Sequence, residues 1–409
     1  MYSRKISKLL LSSLIIASSL MDTNVLANNT NSISSYIHNS QNFIDLGTIK
    51  EYDVDTTELV FASRDYSKAY KVFNGTKISE PGTYRLRFKD SDKVIGFEIN
   101  SKVDYSVSND QELKEVIRYA LSNMEESVTV KLKGGYLNNF SSTPTKISKL
   151  INEVVYQYPL ITYNRGSVGI RGNELRLVFQ YPMEKNKGLE VTKKIEDTME
   201  KYINSLDLTL NDIELQKQVI YDILDYVEYD EYSANIKDVP MAHFVQGLNN
   251  GNKKLVCDGY SKVFMSIANT LGIPTQLIVG VSNGQDHAWN IVNHNGQNYH
   301  VDVTWADSEY RLTDYVNYVN EKDNFMERTH EWDRAKYPVC NMNDYINTKI
   351  YDCIDIEDFK KSKEIDRSKS IIADINNNSA LQDIVDKYNR GIAYIKYDKY
   401  GKSIITVTK

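Results

Sequence analysis

Cysteine and proline are both scarce, with 3 and 7 copies among 409 residues. So few thiols exclude a disulfide scaffold. Beyond the first 27 residues no stretch reaches the ~18 apolar residues of a membrane-spanning helix, and Ile404–Lys409 is no anchor. A basic excess is missing too. Lys and Arg number 49 against 55 Asp and Glu, a formal net charge of -6, which excludes a general nucleic-acid binder. What remains is ordinary for a folded chain, 41% hydrophobic and 25% charged. The length suits two or three domains of about 150 residues each. The 30 Tyr, with abundant Asn, Ile and Lys, read first as a codon-composition effect.

Arg4, Lys5 and Lys8 precede a short, mainly apolar run, Leu9 to Leu20, and then Val25-Leu26-Ala27. Positive, apolar and small-residue regions in that order predict a secretory signal peptide over residues 1–27. The mature chain is then expected to be secreted, extracellular or attached to the cell wall, without a membrane anchor. In that compartment an odd cysteine stands out as a reactive thiol or an intermolecular link. Cys340 and Cys353 could pair, leaving Cys257 over.

Five segments are expected. Residues 1–27 are the signal. Residues 28–102 are a leader and a small β segment, whose Ile78–Leu86 stretch resembles a hairpin of bacterial immunoglobulin-like modules. Residues 103–205 form an α/β segment. Residues 206–345 hold all three Trp and the candidate chemistry, and 346–409 form an α/β tail. Within the α/β segment Asp110 is expected to cap a helix. Apolar rows predict helices near 145–156 and 189–203, and a hairpin is expected around Arg171-Gly172-Asn173. In the tail a helix is expected over Leu381–Tyr388, then a hairpin of 391–399 with 402–407.

Val263, Phe264, Ile267, Ala268 and Leu271 make one helical face after Cys257, and Gly272 and Pro274 stand where that helix should end. Cys257 is therefore expected in a first helical turn, where unpaired N–H groups and the helix dipole favour a thiolate and could hold an oxyanion. Downstream, Asn295-Gly296 lies between alternating runs, the strongest short-range hairpin signal. A two-residue turn there sets His294 against Gln297. Asp302 then falls opposite Trp289, on the same strand face as His287. A one-residue slip would move Asp302 to the wrong side. A cysteine nucleophile, a histidine that takes and returns its proton, and a carboxylate that fixes the imidazole are what a thiol enzyme requires.

The strings Leu255-Val256-Cys257-Asp258-Gly259-Tyr260-Ser261, Gly272-Ile273-Pro274, Asp286-His287-Ala288-Trp289-Asn290 and Tyr299-His300-Val301-Asp302-Val303-Thr304-Trp305 resemble the transglutaminase-like superfamily. They are most similar to its exported bacterial branch, related to the kyphoscoliosis-type peptidases. Asn211–Val227 with Glu228-Tyr229-Asp230 resembles the family's upstream helix. Asp314–Asn317 with His330-Glu331-Trp332 resembles its downstream segment. Lys253-Lys254 departs from the family, which usually has a glycine near the cysteine. The resemblance covers about 206–345 and implies an α+β, papain-like fold, with a nucleophile helix packed on an antiparallel sheet. It also implies a Cys257–His287–Asp302 triad that forms a thioester from an amide, with an amine or water as acceptor.

The expected function is therefore an exported thiol acyltransferase acting on protein or peptide substrates, cell-wall peptides among them. A thiol peptidase using the same three residues, and a non-catalytic wall-binding or adhesion module, are the alternatives. No cofactor and no metal are expected. His294 and His300 flank the hairpin without ligand spacing, and Asp222, Asp225, Glu228 and Asp230 read as a solvated helix face.

Overall fold

The computed structural model describes residues 59–71, 80–88, 94–99, 103–137, 142–234, 241–251, 253–307 and 318–341, with short strands at 43–45, 52–53, 77–78, 354–355, 370–374, 392–397 and 402–407. The expected signal peptide, the helix at 381–388, the stretch 314–317 and Cys353 lie outside the described residues. Among the described residues no helix is long and apolar enough to cross a membrane. The architecture is α+β, with helices packed on mostly antiparallel sheets.

The first unit is a five-stranded sheet in the spatial order 43–45, 94–99, 82–88, 59–64, 68–71, whose first strand runs parallel to its neighbour. The next unit packs helices Asp110–Ser122 and Thr143–Gln157 over a four-stranded sheet. Val107, Leu113, Ile117, Val130, Ile147, Val154, Leu175 and Leu177 fill its core. Asn109, not Asp110, caps the first of these helices, its Oδ1 accepting from the Glu112 N–H at 2.9 Å. Asp110 sits in the first turn, where its charge still complements the dipole. The hairpin turns at Gly172, φ +61°, joining Arg165–Arg171 to Glu174–Gln180. Helix Lys185–Ile203 sends Ile195, Met199, Tyr202 and Ile203 into a second core that also holds residues 215–306. In the tail, strands 392–397 and 402–407 pair antiparallel.

The second core surrounds two helices and a sheet. Helix α1 spans Asp212–Tyr226 and begins with a capping box in which Asn211 and Glu214 satisfy each other's backbone. Asp222 does not face solvent alone, because it accepts the Tyr202 hydroxyl at 2.8 Å. Helix α2, Cys257–Thr270, is buried from Gly259 to Thr270, as a helix enclosed on every side must be. Its polar residues remain satisfied. Ser266 and Thr270 donate back to the carbonyls four residues earlier, and Asn269 bonds both Tyr66 O and Thr275. The helix ends in a Schellman motif. Ile273 N–H reaches Ala268 O and Gly272 N–H reaches Asn269 O, with Gly272 at φ +82°.

Five strands follow, β1 (Thr275–Ser282), β2 (Gln285–His294), β3 (Gln297–Val301), β4 (Val319–Glu321) and β5 (His330–Trp332). Their spatial order is β4-β3-β2-β1-β5, and every neighbouring pair is antiparallel. Asn295 and Gly296 both have positive φ, as a type I′ turn demands. His294 pairs with Gln297 and Asn290 with Val301, the expected register.

Gly259 and Gly280 mark where chains come closest. A Cβ at Gly259 would lie 2.4 Å from Ala242 O. One at Gly280 would lie 2.2 Å from Glu331 O and 2.8 Å from the Trp289 ring. Gly280→Ala is therefore expected to destabilise the fold by about 1–3 kcal/mol. A fall in the urea midpoint at constant slope would show it, and an unchanged midpoint would refute the close packing.

Candidate active site

Cys257 is the first residue of α2. Its N-cap is Val256, in extended conformation, and no side chain caps that end. Of the first helical N–H groups, that of Gly259 donates to Asp258 Oδ1 at 3.1 Å, and the intrahelical ladder begins with Tyr260 N–H to Val256 O. The thiol is half-buried and free, packed beside Met265, Leu277 and Ala288.

Two polar side chains tie this helix end to β2. Ser261 Oγ lies 2.8 Å from Cys257 O and 3.0 Å from Ala288 O, so its one O–H bridges the nucleophile's own carbonyl and the strand residue after His287. Asn290 Nδ2 donates to Ser261 O at 3.1 Å. His287 is thereby held in register with Cys257, and its ring lies within electrostatic reach of that thiol.

On its far side the His287 imidazole donates Nε2–H to Asp302 Oδ2 at 2.7 Å. A carboxylate can only accept, so the proton is on Nε2 and Nδ1 is left for the thiol. Burial opposes charge on this ring, but the Asp302 carboxylate, and then Cys257, raise its pKa to about 10. Asp302 is fully buried. Burial would raise its pKa too, yet the two histidines beside it, His287 first, hold it well below the usual carboxylate range.

Asp302 ends β3 and opens a short helical turn. Its carbonyl accepts Ala306 N–H, and its Oδ1 accepts Trp305 N–H at 3.0 Å. Capping that turn and orienting His287 use different oxygens of one side chain. The structure thus brings Cys257, His287 and Asp302 together.

It also places there residues to which sequence reasoning gave no role. His330 Nε2 lies 3.0 Å from the same Asp302 oxygen. Beneath Cys257, Asp258 Oδ1 accepts from His243 Nδ1 at 2.8 Å, and the buried Lys262 ammonium stands 3.9 Å from Asp258 Oδ2. Lys262 also lies over the Phe244 ring at 5.0 Å. Burial lowers its pKa, against the pull of Asp258 and Cys257. Asp258 and His330 fall within quoted family strings and Lys262 directly follows one, but nothing in their spacing points to His243 or to a shared Asp302 oxygen.

Among the described residues, two clusters gather ligand atoms within 4.8 Å, His287–Asp302–His330 and His300–Asp323–Cys340. In the second, Trp289 Nε1–H donates to His300 Nδ1 at 3.0 Å. The His300 proton is therefore on Nε2, which donates to Asp323 at 2.9 Å. That arrangement reverses a metal-bound imidazole, whose second nitrogen donates outward. Cys340 is fully buried, and its expected partner Cys353 lies outside the described residues; burial, with Asp323 beside it, pushes its pKa up. His294, expected at the turn edge, is buried against Gln216, and burial lowers its pKa to about 4.

A cleft of about 660 Å³ opens above His287. Glu228, Glu231, Asp286 and Asp307 line it, with Tyr229, Ser282, Thr304 and Trp305. The Lys253-Lys254 departure sits at its edge, where Lys254–Leu255 pairs in parallel with Glu228–Tyr229.

Residues 201–305 match the family model of the transglutaminase-like superfamily. The matched stretch holds Cys257, His287 and Asp302. Among solved structures the chain is similar to a "Putative Cysteine Protease from Cytophaga hutchinsonii", at 10% identity and TM-score 0.22, over 34% of this chain and 62% of that one. It is also similar to a "TGase", at 13% identity and TM-score 0.22, over 73% of this chain and 79% of that one. The chain spans 62% of the length of the Cytophaga protein. Comparison with curated proteins gave no match.

The raised pKa of His287 has a sign that can be tested. A histidine raised above its unfolded value of about 6.5 contributes stability that is fully present below that pH. The contribution is lost as pH rises through about 10. In denaturant titrations the advantage of the wild type over His287→Gln should thus shrink between pH 6.5 and pH 10. A constant difference across that range would dismiss the ion pair.

Proposed function

We propose that the chain is a thiol acyltransferase acting on amide bonds of protein or peptide substrates, with Cys257 as nucleophile, His287 as general acid and base, and Asp302 as its orienting carboxylate. The observation that carries this reading is the 2.7 Å hydrogen bond from His287 to Asp302, with the half-buried Cys257 thiol at the start of α2 acting on the same imidazole, beneath an open cleft. The Cys257 thiolate attacks the amide carbon. The oxyanion that forms is met by the N–H groups of Cys257 and Asp258 at the start of α2. His287 gives its proton to the leaving amine or ammonia, and a thioester remains. An acceptor amine attacks the thioester, its proton passes to His287, and the thiolate leaves again.

The cleft supports transfer to an amine over hydrolysis. Its described lining carries four carboxylates and no Lys or Arg. Such a field concentrates ammonium groups. The N-terminal pattern of charge, apolar run and small residues supports export, so we place the enzyme outside the cell. Proteins and cell-wall peptides are the substrates within reach there.

Mature chain incubated with a glutamine-containing peptide and a labelled primary amine is expected to incorporate the label. Cys257→Ala should reduce incorporation by at least about a thousandfold. Release of acid or fragments alone would replace transfer by hydrolysis, and absence of any Cys257-dependent product would leave a binding module. Glu228→Gln and Asp286→Asn should each raise the KM for the amine by about threefold and leave kcat near wild type, as should higher salt on the wild type. A KM indifferent to both would remove the electrostatic basis for transfer.

A further inference from the structure

We propose that His330 is a positioning residue for this thiol chemistry, holding the Asp302 carboxylate in place and sharing its charge with His287. The inference rests on the reading of Cys257, His287 and Asp302 given above. His330 is buried, with 1% of its surface exposed, and stands behind Asp302, where substrate does not reach. Its Nε2 is 3.0 Å from Asp302 Oδ2, the oxygen that His287 Nε2 approaches at 2.7 Å. Both must donate, since the carboxylate only accepts. Trp305 N–H occupies the other oxygen. Asp302 therefore cannot rotate without breaking a bond to a fixed donor.

His330 is itself fixed. Its Nδ1 lies 2.8 Å from Thr329 Oγ1, which can donate there and keep the ring proton on Nε2. Trp289 and Trp305 pack against the ring at 4.9 and 5.0 Å between centroids, and Tyr318 at 6.0 Å. The fold delivers it through β5, which pairs His330 with Ser282 at the end of β1. The bare backbone of Gly280, two residues earlier, leaves the room that Trp289 fills.

The chemical consequence follows from the shared oxygen. A carboxylate serving His287 alone would hold the imidazolium too firmly and slow its proton donation to the leaving group. A second N–H on that oxygen draws off part of the charge. The groups facing this cluster are Cys257 from α2, Tyr229 across the cleft, His300 on β3 with Asp323 behind it, Tyr318, and Arg334, which pairs with Asp323. The variants below leave all six unchanged.

The test compares the mature wild type with His330→Phe, which keeps the ring and removes the donor, and His330→Gln, whose amide N–H can replace it. Alkylation of Cys257 by iodoacetamide, followed across pH by peptide mapping, needs no substrate. In His330→Phe the basic limb of the profile should move up by about one pH unit, and kcat for amine transfer should fall about tenfold with KM retained. His330→Gln should restore both. If His330→Phe does not fold, Thr329→Val carries the test, and a shift in the same direction is expected. Coincident profiles, or equal effects of Phe and Gln, would overturn the role of His330. A wild type that is alkylated at Cys257 yet transfers no amine would remove the acyltransferase reading, and the labelling profiles alone would then decide the claim for His330.

Discussion

A charged carboxylate with no exposed surface is expensive unless donors surround it, and Asp302 meets that condition with three, from His287, His330 and the Trp305 backbone. The three come from separate parts of the domain. His287 comes from β2, Trp305 from the helical turn that Asp302 itself begins, and His330 from β5. Burial of this one charge therefore constrains the sheet order, the start of the turn and the course of the chain after it. Loss of any donor leaves part of a buried charge unpaired, the condition under which single changes are most damaging.

The thiol is placed by a second, independent set of contacts. Helix α2 is enclosed along its length and anchored at both ends. Ser261 and Asn290 register its start against β2. At its finish, Asn269 holds Tyr66 O, and Arg87 of the N-terminal sheet donates to Leu271 O at 3.1 Å. Arg85 packs over the Tyr66 ring at 4.1 Å and pairs with Glu200. The sheet unit thus grips the end of α2 remote from the thiol, and the distance between Cys257 and His287 depends on side chains more than two hundred residues apart.

Local rules were enough to read much of this. The apolar row after Cys257, closed by Gly272 and Pro274, located the helix start. The Asn295-Gly296 turn set the register, and alternation along the strands put Asp302 on the face of His287. His330 could not be found that way. It lies 28 residues beyond Asp302, no periodicity links the two, and its partner is decided by how β5 docks on β1. The His243–Asp258 pair and the Tyr66 docking escaped for the same reason, since each joins elements whose sequences carry no mark of each other. Asn109 was missed as a cap because Asp110 beside it has equal capping chemistry, and only the backbone angles separate them.

The enclosure of Asp302 also bears on the direction of traffic at His287. Both carboxylate oxygens are engaged by protein donors, and none of the residue is open to water. In the proposed reaction a hydrogen ion lifted from the thiol thus has no exit at the rear of the ring, and waits on the imidazole until it departs forward, through Nδ1, to whatever group occupies the cleft.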